Sequence, residues 1–253
     1  MAIEVFNRYE NKYMIDTQTF EKVQKVMDRY MVIDEYCENH SFYTISNIYY
    51  DTPDDYLIRK SLSKPTYKEK LRLRSYGIPC EGEMVYLEIK KKVNGLVNKR
   101  RTALTSKEAY DFLKSKKIPE YKDYMNKQVL HELEYFIKIY NIVPKVYIAY
   151  DRRAYFEKGN NDLRVSFDRA IRTRRYDLRL EDGDYGKMLI PDNMYLMEIK
   201  TSKAIPIWLS DMLLELNIHR SSFSKYGTEF KNKNKLHIIK SNTSNDRFNK
   251  AAV

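Results

Sequence analysis

Alternation of basic and apolar residues along short segments is the main pattern in this sequence. In the segment YKEKLRLRSY, every second residue is basic, namely Lys68, Lys70, Arg72 and Arg74. The residues between them include Leu71 and Leu73. Successive side chains of a β-strand leave opposite faces of the sheet. The segment is therefore predicted to be a strand with one partly apolar face and one face that carries four positive charges.

Four further segments repeat this arrangement. In LEIKKK, the residues Glu88, Lys90 and Lys92 alternate with Leu87 and Ile89. The same alternation gives three more charged faces: Glu198 and Lys200 in MEIKT, Arg164, Ser166 and Asp168 in LRVSFD, and Arg8, Glu10 and Lys12 near the N-terminus. Five predicted strands thus share one scheme, in which basic residues and a few carboxylates lie opposite apolar residues.

Helical patterns are interspersed between these strands. Asp16 is a suitable cap for a first helix, and Ser106, followed by Glu108, is the predicted cap of another. Two or three helices are expected over residues 106–140, and one more is expected to begin near Pro206. The pair Asn94-Gly95 predicts a hairpin turn. Together these patterns predict one α+β domain over residues 1–240, built round an antiparallel sheet. The polar, aperiodic residues 241–253 are predicted to be a disordered tail.

Bulk properties point to an anionic partner. Over 253 residues, 46 Lys and Arg stand against 35 Asp and Glu, a net charge of +11. The two cysteines fit no metal-binding spacing, which favours a reducing, cytoplasmic setting. No segment has the pattern of a signal peptide or a membrane span. Composition alone does not choose among nucleic acid, a phospholipid surface and a phosphorylated small molecule.

The charged strand faces have two interpretations. On one, they are the solvated side of an ordinary antiparallel sheet. On the other, the predicted helices cover the apolar faces and the sheet curves into a barrel with the charged faces inside. The predominance of Arg and Lys on these faces, with isolated Glu, favours the second interpretation. Since unpaired buried charge is very costly, such a basic tunnel requires anions, and phosphates are the expected ligands.

Eight segments in order resemble the motifs of a known family: RYENKY, SNIYYDTP, KEKLRLRSYG, LEIKKKVNGLVNKRR, YDRRAY, LRVSFD, MEIK and SFSKYGTEF. The resemblance is to the VTC domain, the polyphosphate polymerase domain of the vacuolar transporter chaperone complex, and runs from about Phe6 to Phe230. This family belongs to the triphosphate tunnel metalloenzymes, together with CYTH-type triphosphatases, RNA triphosphatases and some adenylate cyclases. It implies an antiparallel β-barrel that encloses a basic tunnel, with helices packed outside.

The resemblance also implies roles for individual residues. The implied catalytic residues are Lys12, Arg72, Arg74 and Lys200. The implied phosphate-binding residues are Arg8, Lys90, Arg152, Arg164, Ser224 and Lys225. The implied metal ligands are Glu198 and Glu10, with Mn²⁺ or Mg²⁺ as the cofactor. Hard cations of this kind favour oxygen ligands, and guanidinium groups suit bidentate phosphate binding.

One residue departs from the superfamily signature, and two glutamates have a structural alternative to metal binding. Arg8 lies where the superfamily signature has a first glutamate, so a potential metal ligand is replaced by a phosphate binder. For Glu10, a structural ion pair is as well supported as a metal-binding role. Glu88 is better explained by an ion pair than by metal binding.

The function implied is an ATP-dependent polyphosphate polymerase, which transfers the terminal phosphate of ATP to a growing chain started on phosphate or pyrophosphate. Two alternatives stay open. One is a metal-dependent triphosphatase acting on inorganic triphosphate, a nucleotide or an RNA 5′ end. The other is a non-catalytic module that binds polyphosphate or inositol phosphates, with a membrane protein as an optional partner. A general nucleic-acid binder is not expected, because the cations alternate with apolar residues along strands.

Overall fold

In the computed structural model, the described residues are 9–37, 41–94 and 96–235. They contain ten strands: β1 (Tyr9–Asp16), β2 (Met31–Ile33), β3 (Tyr43–Asp51), β4 (Tyr67–Tyr76), β5 (Met84–Val93), β6 (Leu96–Thr105), β7 (Val143–Glu157), β8 (Asn160–Arg174), β9 (Lys187–Met188) and β10 (Met194–Thr201). They also contain six helices: α1 (Thr17–Tyr30), α2 (Tyr56–Leu62), α3 (Ser106–Ser115), α4 (Lys127–Ile139), α5 (Ile207–Glu215) and α6 (225–235).

All ten strands belong to one antiparallel sheet. Eight of them follow the order β1-β10-β8-β7-β3-β4-β5-β6, while β2 pairs with β7 and β9 pairs with β8. The sheet curves into a barrel-like shape, which confirms the predicted α+β architecture. Within the described ranges, β1 and β6 remain edges, so ladder hydrogen bonds do not close the barrel.

Side chains and one connecting segment bridge the gap between the sheet edges. The Nζ of Lys90 on β5 lies 3.4 Å from the Oε2 of Glu10 on β1. The segment 220–224 also fills the gap. Its Ser221 amide donates to the carbonyl oxygen of Lys12 at 2.7 Å, and the Oγ of its Ser224 accepts a bond from Lys70 on β4 at 3.3 Å. The charged inner faces are therefore enclosed without a continuous hydrogen-bonded barrel.

Two apolar clusters cover the outside of the sheet, as the alternation predicted. In the first, Leu71 and Leu87 of the sheet pack with Phe112 of α3 and Leu133 of α4. In the second, α1 and α5 cover the outer faces of β1, β8 and β10. Each cluster removes the apolar side chains of its strands from water, and this burial leaves the charged faces directed inward.

A third apolar cluster lies inside the curved sheet and was not predicted. It contains residues of β3, β7, β8 and β10 together with two aromatic residues of α6: Ile45, Tyr49, Val146, Ile148, Tyr150, Ile171, Leu196, Tyr226 and Phe230. The inner faces of these strands change from charged to apolar along their length. Part of the barrel interior is consequently an ordinary core rather than a tunnel wall.

The helix caps confirm one prediction and correct another. The Asp16 carboxylate accepts a hydrogen bond from the Thr19 amide at 2.8 Å, as expected for the start of α1. The cap of α3 is Thr105, not Ser106. Thr105 forms a reciprocal capping box with Glu108, because Glu108 lies three residues after the cap in this register. Ser106 is the first helical residue and is buried.

The hairpin, the two cysteines and the lengths of the helices were also addressed by the sequence. β5 and β6 pair as the antiparallel hairpin that Asn94-Gly95 predicted, and Gly95 itself lies outside the described residues. Cys37 is buried and Cys80 is exposed, and both are free thiols. None of the helices in the described ranges is long and apolar enough to cross a membrane. The expected tail at 241–253 and the C-terminal boundary of the 1–240 domain lie outside the described residues and stay predictions.

The outer clusters generate a stability prediction. We expect Leu133→Ala on α4 to reduce the free energy of unfolding by about 2–5 kcal/mol, since the leucine is fully buried and its removal leaves a cavity. Leu214→Ala on α5 is the matched control, because that leucine is 81% exposed and should change stability by less than about 0.5 kcal/mol. Urea unfolding followed by circular dichroism measures both. Equal effects of the two substitutions would contradict the described packing of α4.

Candidate functional site

A cavity of about 2100 Å³ lies on the charged inner faces of the sheet. Among the described residues, sixteen lysines and arginines line it against six carboxylates, a surplus of ten positive charges. The whole chain carries a net charge of +11. The net positive charge of the protein is therefore matched in size by the surplus in one cavity, which we call the channel.

The channel collects the residues singled out in the sequence. All of the predicted site residues that are described line it: Glu10, Lys12, Arg72, Arg74, Lys90, Arg152, Arg164, Glu198, Lys200, Ser224 and Lys225. They meet there because the charged faces of β1, β4, β5, β8 and β10 all point inward, joined by β7 and the start of α6. Arg8 lies outside the described residues. Shared location does not test a role, so the assigned catalytic, phosphate-binding and metal-binding roles stay predictions.

Glu198 on β10 is surrounded by four cations. Its carboxylate oxygens lie 3.3 Å from the Nζ of Lys12, 3.1 Å from that of Lys200 and 3.6 Å from that of Lys225. A guanidinium nitrogen of Arg152 lies 3.8 Å away. Burial alone would raise the pKa of Glu198, but these positive charges outweigh it and hold the pKa well below the ordinary value. Glu198 is thus a permanent anion at the centre of the channel.

Asp168 on β8 is a second buried anion, which the sequence analysis did not assign to the site. Arg152 binds it with two hydrogen bonds, at 2.6 and 2.8 Å, and the Nζ of Lys225 lies 2.5 Å from its Oδ2. Asp168 shares a strand face with Arg164 and Ser166, so its parity was the available signal. Lys225 consequently faces two protein carboxylates, Asp168 and Glu198.

Glu88 on β5 forms the third anionic centre, and its assignment to ion pairs is confirmed. The Nε of Arg72 lies 2.7 Å from Oε2, and the Nζ of Lys99 lies 2.8 Å from Oε1. Burial would raise the pKa of Glu88, but Arg72, Arg74 and Lys99 hold it well below the ordinary value. Lys99, on β6, lies in the hairpin strand VNKRRTAL and was not singled out in the sequence.

The two arginines of β4 are also fixed by neutral groups. Arg74 donates to the Oδ1 of Asn47 at 2.9 Å and to the hydroxyl of Tyr150 at 3.0 Å. Arg72 donates to the hydroxyl of Tyr49 at 3.3 Å. These contacts hold both guanidinium groups at the channel wall. An incoming phosphate would therefore meet donors whose positions are already set, which lowers the entropic cost of binding.

Lys70 on β4 differs from these paired cations. Among the described residues it has no carboxylate within ion-pair distance, and its Nζ donates to the Oγ of Ser224. Burial, together with the positive charges of Lys90, Lys12 and Lys68, lowers the pKa of Lys70 to about 8. The nearby Lys99 also has its pKa lowered, to about 7, by burial and by Arg74 and Arg72 against the attraction of Glu88. A bound anion would favour the protonated form of both lysines and so increase their positive charge.

The residues present fit a metal ion that is shared with a ligand. Glu10 and Glu198 both contact Lys12, at 3.3 Å each, so their carboxylates lie near one point of the channel. No group of three or more His, Cys, Asp or Glu side chains within the described ranges could hold a metal by itself. Mg²⁺ is commonly bound by one or two carboxylates together with phosphate oxygens and water. The predicted pair of ligands therefore suits a metal that arrives with a phosphate compound.

Solved structures establish the class of fold. A structure described as a putative adenylate cyclase from Bacillus halodurans aligns with a TM-score of 0.50 at 16% identity, covering 87% of this chain and 96% of that one. A putative adenylyl cyclase from Hippeastrum, described as having a dominant triphosphatase activity, aligns with a TM-score of 0.51 at 13% identity, covering 88% and 93%. The fold is accordingly the triphosphate tunnel fold, and the channel is its tunnel.

The family follows from the sequence match. The VTC domain family matches residues 7–232, nearly the whole chain, and the chain belongs to that family. No curated protein matches the sequence. Family, fold and cation-lined channel together define a tunnel-fold enzyme that handles phosphates.

The lowered pKa of Lys70 generates a prediction about proton uptake. At pH 8 about half of the free protein has Lys70 uncharged, and a bound polyanion should restore the charge, taking up about half a proton. We expect Lys70→Arg to lose this part, because arginine stays charged. Calorimetric titration with inorganic tripolyphosphate at pH 8, in buffers of different ionisation enthalpy, measures the difference from the wild type.

The matched control for this experiment is Lys114→Arg, on the exposed side of α3 and outside the channel. It should leave proton uptake unchanged. The same uptake in the wild type and in Lys70→Arg would show that Lys70 is already fully charged in the free protein. The described environment of Lys70 would then be wrong.

Proposed function

We propose that this protein is an ATP-dependent polyphosphate polymerase that works inside the channel. The observation that supports this proposal most is the surplus of ten positive charges along the cavity. One bound triphosphate would neutralise only part of this surplus. A growing polyphosphate chain, with a negative charge on every phosphate, would neutralise the remainder and be retained between additions.

In the proposed reaction, an oxygen of the terminal phosphate of the chain attacks the γ-phosphorus of ATP. The bond between that phosphorus and the β–γ bridging oxygen breaks, ADP leaves with the electron pair, and the chain is one phosphate longer. Phosphate or pyrophosphate would be the first acceptor. Such a transfer depends mainly on in-line positioning and on neutralisation of spread negative charge. Arg72, Arg74, Lys12 and Lys200 are the residues we assign to these tasks.

Glu198 and Glu10 would hold Mn²⁺ or Mg²⁺ jointly with the phosphates, and the ion would add positive charge at the reacting oxygens. Lys12 contacts both carboxylates. Its ammonium therefore occupies the position of a counter-ion in the free protein. Displacement of Lys12 towards a phosphate would expose both carboxylates, so the same residue would serve the free and the loaded states.

A triphosphatase is the second candidate function. The Hippeastrum protein of the same fold is described as having a dominant triphosphatase activity. Water attacking in place of the chain phosphate would use the same cations. We favour the polymerase because the basic lining extends beyond the residues around Glu198, to Lys68 and Lys92 at the far end of β4 and β5. A non-catalytic polyphosphate or inositol-phosphate module is the third candidate, and detection of turnover would exclude it.

The proposed partners are ATP and inorganic polyphosphate, without nucleic acid, and a membrane-protein partner remains compatible with this function. We place the protein in the cytoplasm, in agreement with the free thiols of Cys37 and Cys80.

The central test is incubation with ATP and Mn²⁺ or Mg²⁺, followed by gel analysis for long-chain polyphosphate and a parallel assay of free phosphate. We expect polymer formation with stoichiometric ADP. Release of orthophosphate alone, with no polymer at either metal, would replace the polymerase proposal by hydrolysis. The absence of both products would favour the binding module.

The far end of the channel provides a test of chain retention. We expect the double substitution Lys68→Gln/Lys92→Gln to shorten the polymer while ATP turnover changes little. Lys68 and Lys92 lie opposite each other, and Lys68 is four residues, about 13 Å, along β4 from Arg72, which we assign to catalysis. The salt dependence of polyphosphate binding should also become shallower, since fewer counterions are released. Lys107→Gln/Lys114→Gln on α3 has the same change in charge and should leave both quantities unaltered. Equal product lengths in the two double variants would oppose retention by this end.

Glu198→Gln tests the proposed metal site. We expect turnover to fall on the order of 100-fold, as when one charge-stabilising group of a transition state is removed. Binding of tripolyphosphate without metal should be as tight as in the wild type or tighter, because Lys12, Lys200 and Lys225 each lose one of their anionic contacts. Parallel loss of binding and turnover would indicate a structural role for Glu198. Unchanged turnover would transfer the metal-binding role to Glu10.

A further inference from the structure

Four tyrosines form a contiguous row at one end of the channel. The ring centroids of Tyr36 and Tyr43 lie 6.5 Å apart, those of Tyr43 and Tyr76 lie 6.3 Å apart, and those of Tyr76 and Tyr86 lie 5.7 Å apart. All four line the channel. We call this set the aromatic row.

The aromatic row directly adjoins the cations of β4 and β7. Tyr76 follows Arg74 on the same face of β4, two residues along the strand, which is a separation of about 7 Å. Tyr86 lies opposite Arg74 in the strand register, and Tyr43 lies opposite Arg152. A ligand with phosphates on these arginines would therefore extend over the tyrosine rings if it carried a further group of about the size of a nucleoside.

Two members of the aromatic row, Tyr36 and Tyr76, are exposed and are not part of the core. Tyr76 is 51% exposed and Tyr36 is 72% exposed, whereas Tyr147 and Tyr155 of the same sheet are fully buried. Exposed aromatic surface gathered at the mouth of a cavity is typical of a binding surface. The aromatic row thus has accessible ring faces beside a phosphate-binding wall.

Arg101 on β6 adds a cation to this surface. Its guanidinium carbon lies 4.8 Å from the ring centroid of Tyr86, and one of its nitrogens lies 3.5 Å from the hydroxyl of Tyr76. No carboxylate of the described residues is within ion-pair distance of it. A guanidinium of this kind can stack on a planar ring or contact a phosphate, and both suit a nucleotide.

The opposite end of the same strands has a different lining. Lys68 and Lys92 face each other across β4 and β5, and Lys64 and Lys231 line the same cavity. Tyr76 and Lys68 are the two ends of one inward-facing series on β4, about 26 Å apart. The two ends of the channel therefore differ chemically, and we call them the aromatic end and the lysine end. An unbranched chain of identical phosphates offers nothing that would use such an aromatic end.

We propose that the aromatic row is the binding site for the base of a nucleoside triphosphate, with the base stacked on Tyr76 or Tyr86. The triphosphate then runs along Arg74 and Arg72, and its terminal phosphate points towards Lys70 and the lysine end. This proposal rests on the proposed function only in taking a nucleotide as the phosphate donor. Stacking depends on ring area rather than on hydrogen-bond patterns, so purines are preferred over pyrimidines and the two purines are poorly distinguished.

The test compares two ligands that share a triphosphate but differ in the base. Dissociation constants of ATP and inorganic tripolyphosphate are measured by calorimetry in the presence of EDTA, which prevents metal-dependent turnover. We expect Tyr76→Ala/Tyr86→Ala to weaken ATP binding on the order of tenfold, as for loss of base stacking, with tripolyphosphate binding unchanged. Tyr76→Phe/Tyr86→Phe should retain the wild-type affinity for ATP, since the rings remain.

The control double variant is Tyr135→Ala/Tyr176→Ala, because both tyrosines are exposed and neither lines the channel. It should leave both affinities unchanged. If the alanine variant of the aromatic row fails to fold, Tyr76→Leu/Tyr86→Leu keeps apolar bulk while removing the stacking surface, and the same selective loss is expected. Equal weakening of the two ligands, or no weakening of either, would overturn the proposal.

Failure of this inference is distinguishable from failure of the proposed function. The binding comparison requires no turnover, so a protein that makes no polymer can still show the selective loss of ATP affinity. Conversely, a polymerase whose ATP affinity does not depend on Tyr76 and Tyr86 would keep its function and lose the base site assigned to the aromatic row.

Discussion

Repulsion between inward-facing cations is the constraint on which the structure depends. Alternate residues of a strand lie about 7 Å apart, and two like charges at that distance repel by about 2–3 kcal/mol at an effective dielectric constant of about 20. Four cations follow each other in this way on β4 alone. The three buried carboxylates Glu88, Asp168 and Glu198 each contact at least two cations, so they stabilise an inner face that would otherwise open the sheet.

The distribution of these carboxylates also leaves part of the channel positively charged. Within the described residues, Glu88 and Glu198 each contact several cations and Asp34 pairs with Arg164. Four other cations of the channel have no carboxylate of the described residues within ion-pair distance, namely Lys68, Lys70, Lys92 and Arg101. The paired charges stabilise the folded protein. The unpaired cations repel one another, and a bound polyanion would remove that repulsion. Stability of the empty protein and affinity for phosphate are therefore opposed, and the surplus of charge sets the balance between them.

Strand periodicity predicted the antiparallel sheet and the charged strand faces that line the channel, because parity assigns each side chain to a face. The assignments of Arg152, Ser224 and Lys225 depended on the family resemblance instead. Parity placed Lys12, Glu198 and Lys200 on the charged faces of their strands before any contact was known. It could not find the pairing of Lys225 with Asp168, which joins residues 57 apart in sequence. Nor did it predict the inner apolar cluster, since Ile148 and Leu196 follow the inward parity but lack charge. Those contacts depend on how far the sheet curves and on the placement of α6, which no local pattern specifies.

The inner apolar cluster has an electrostatic consequence for the channel. Tyr49 and Tyr150 belong to it, and their hydroxyls contact Arg72 and Arg74. Cations backed by apolar side chains are screened less than cations surrounded by water, so each attracts a phosphate more strongly. On this side a phosphate would meet guanidinium groups held by hydrogen bonds, whereas at the lysine end it would meet ammonium groups that are half-buried or exposed. This difference between the two ends would suit the proposed chain extension, because the reacting phosphate must be held in line while the product must be able to slide.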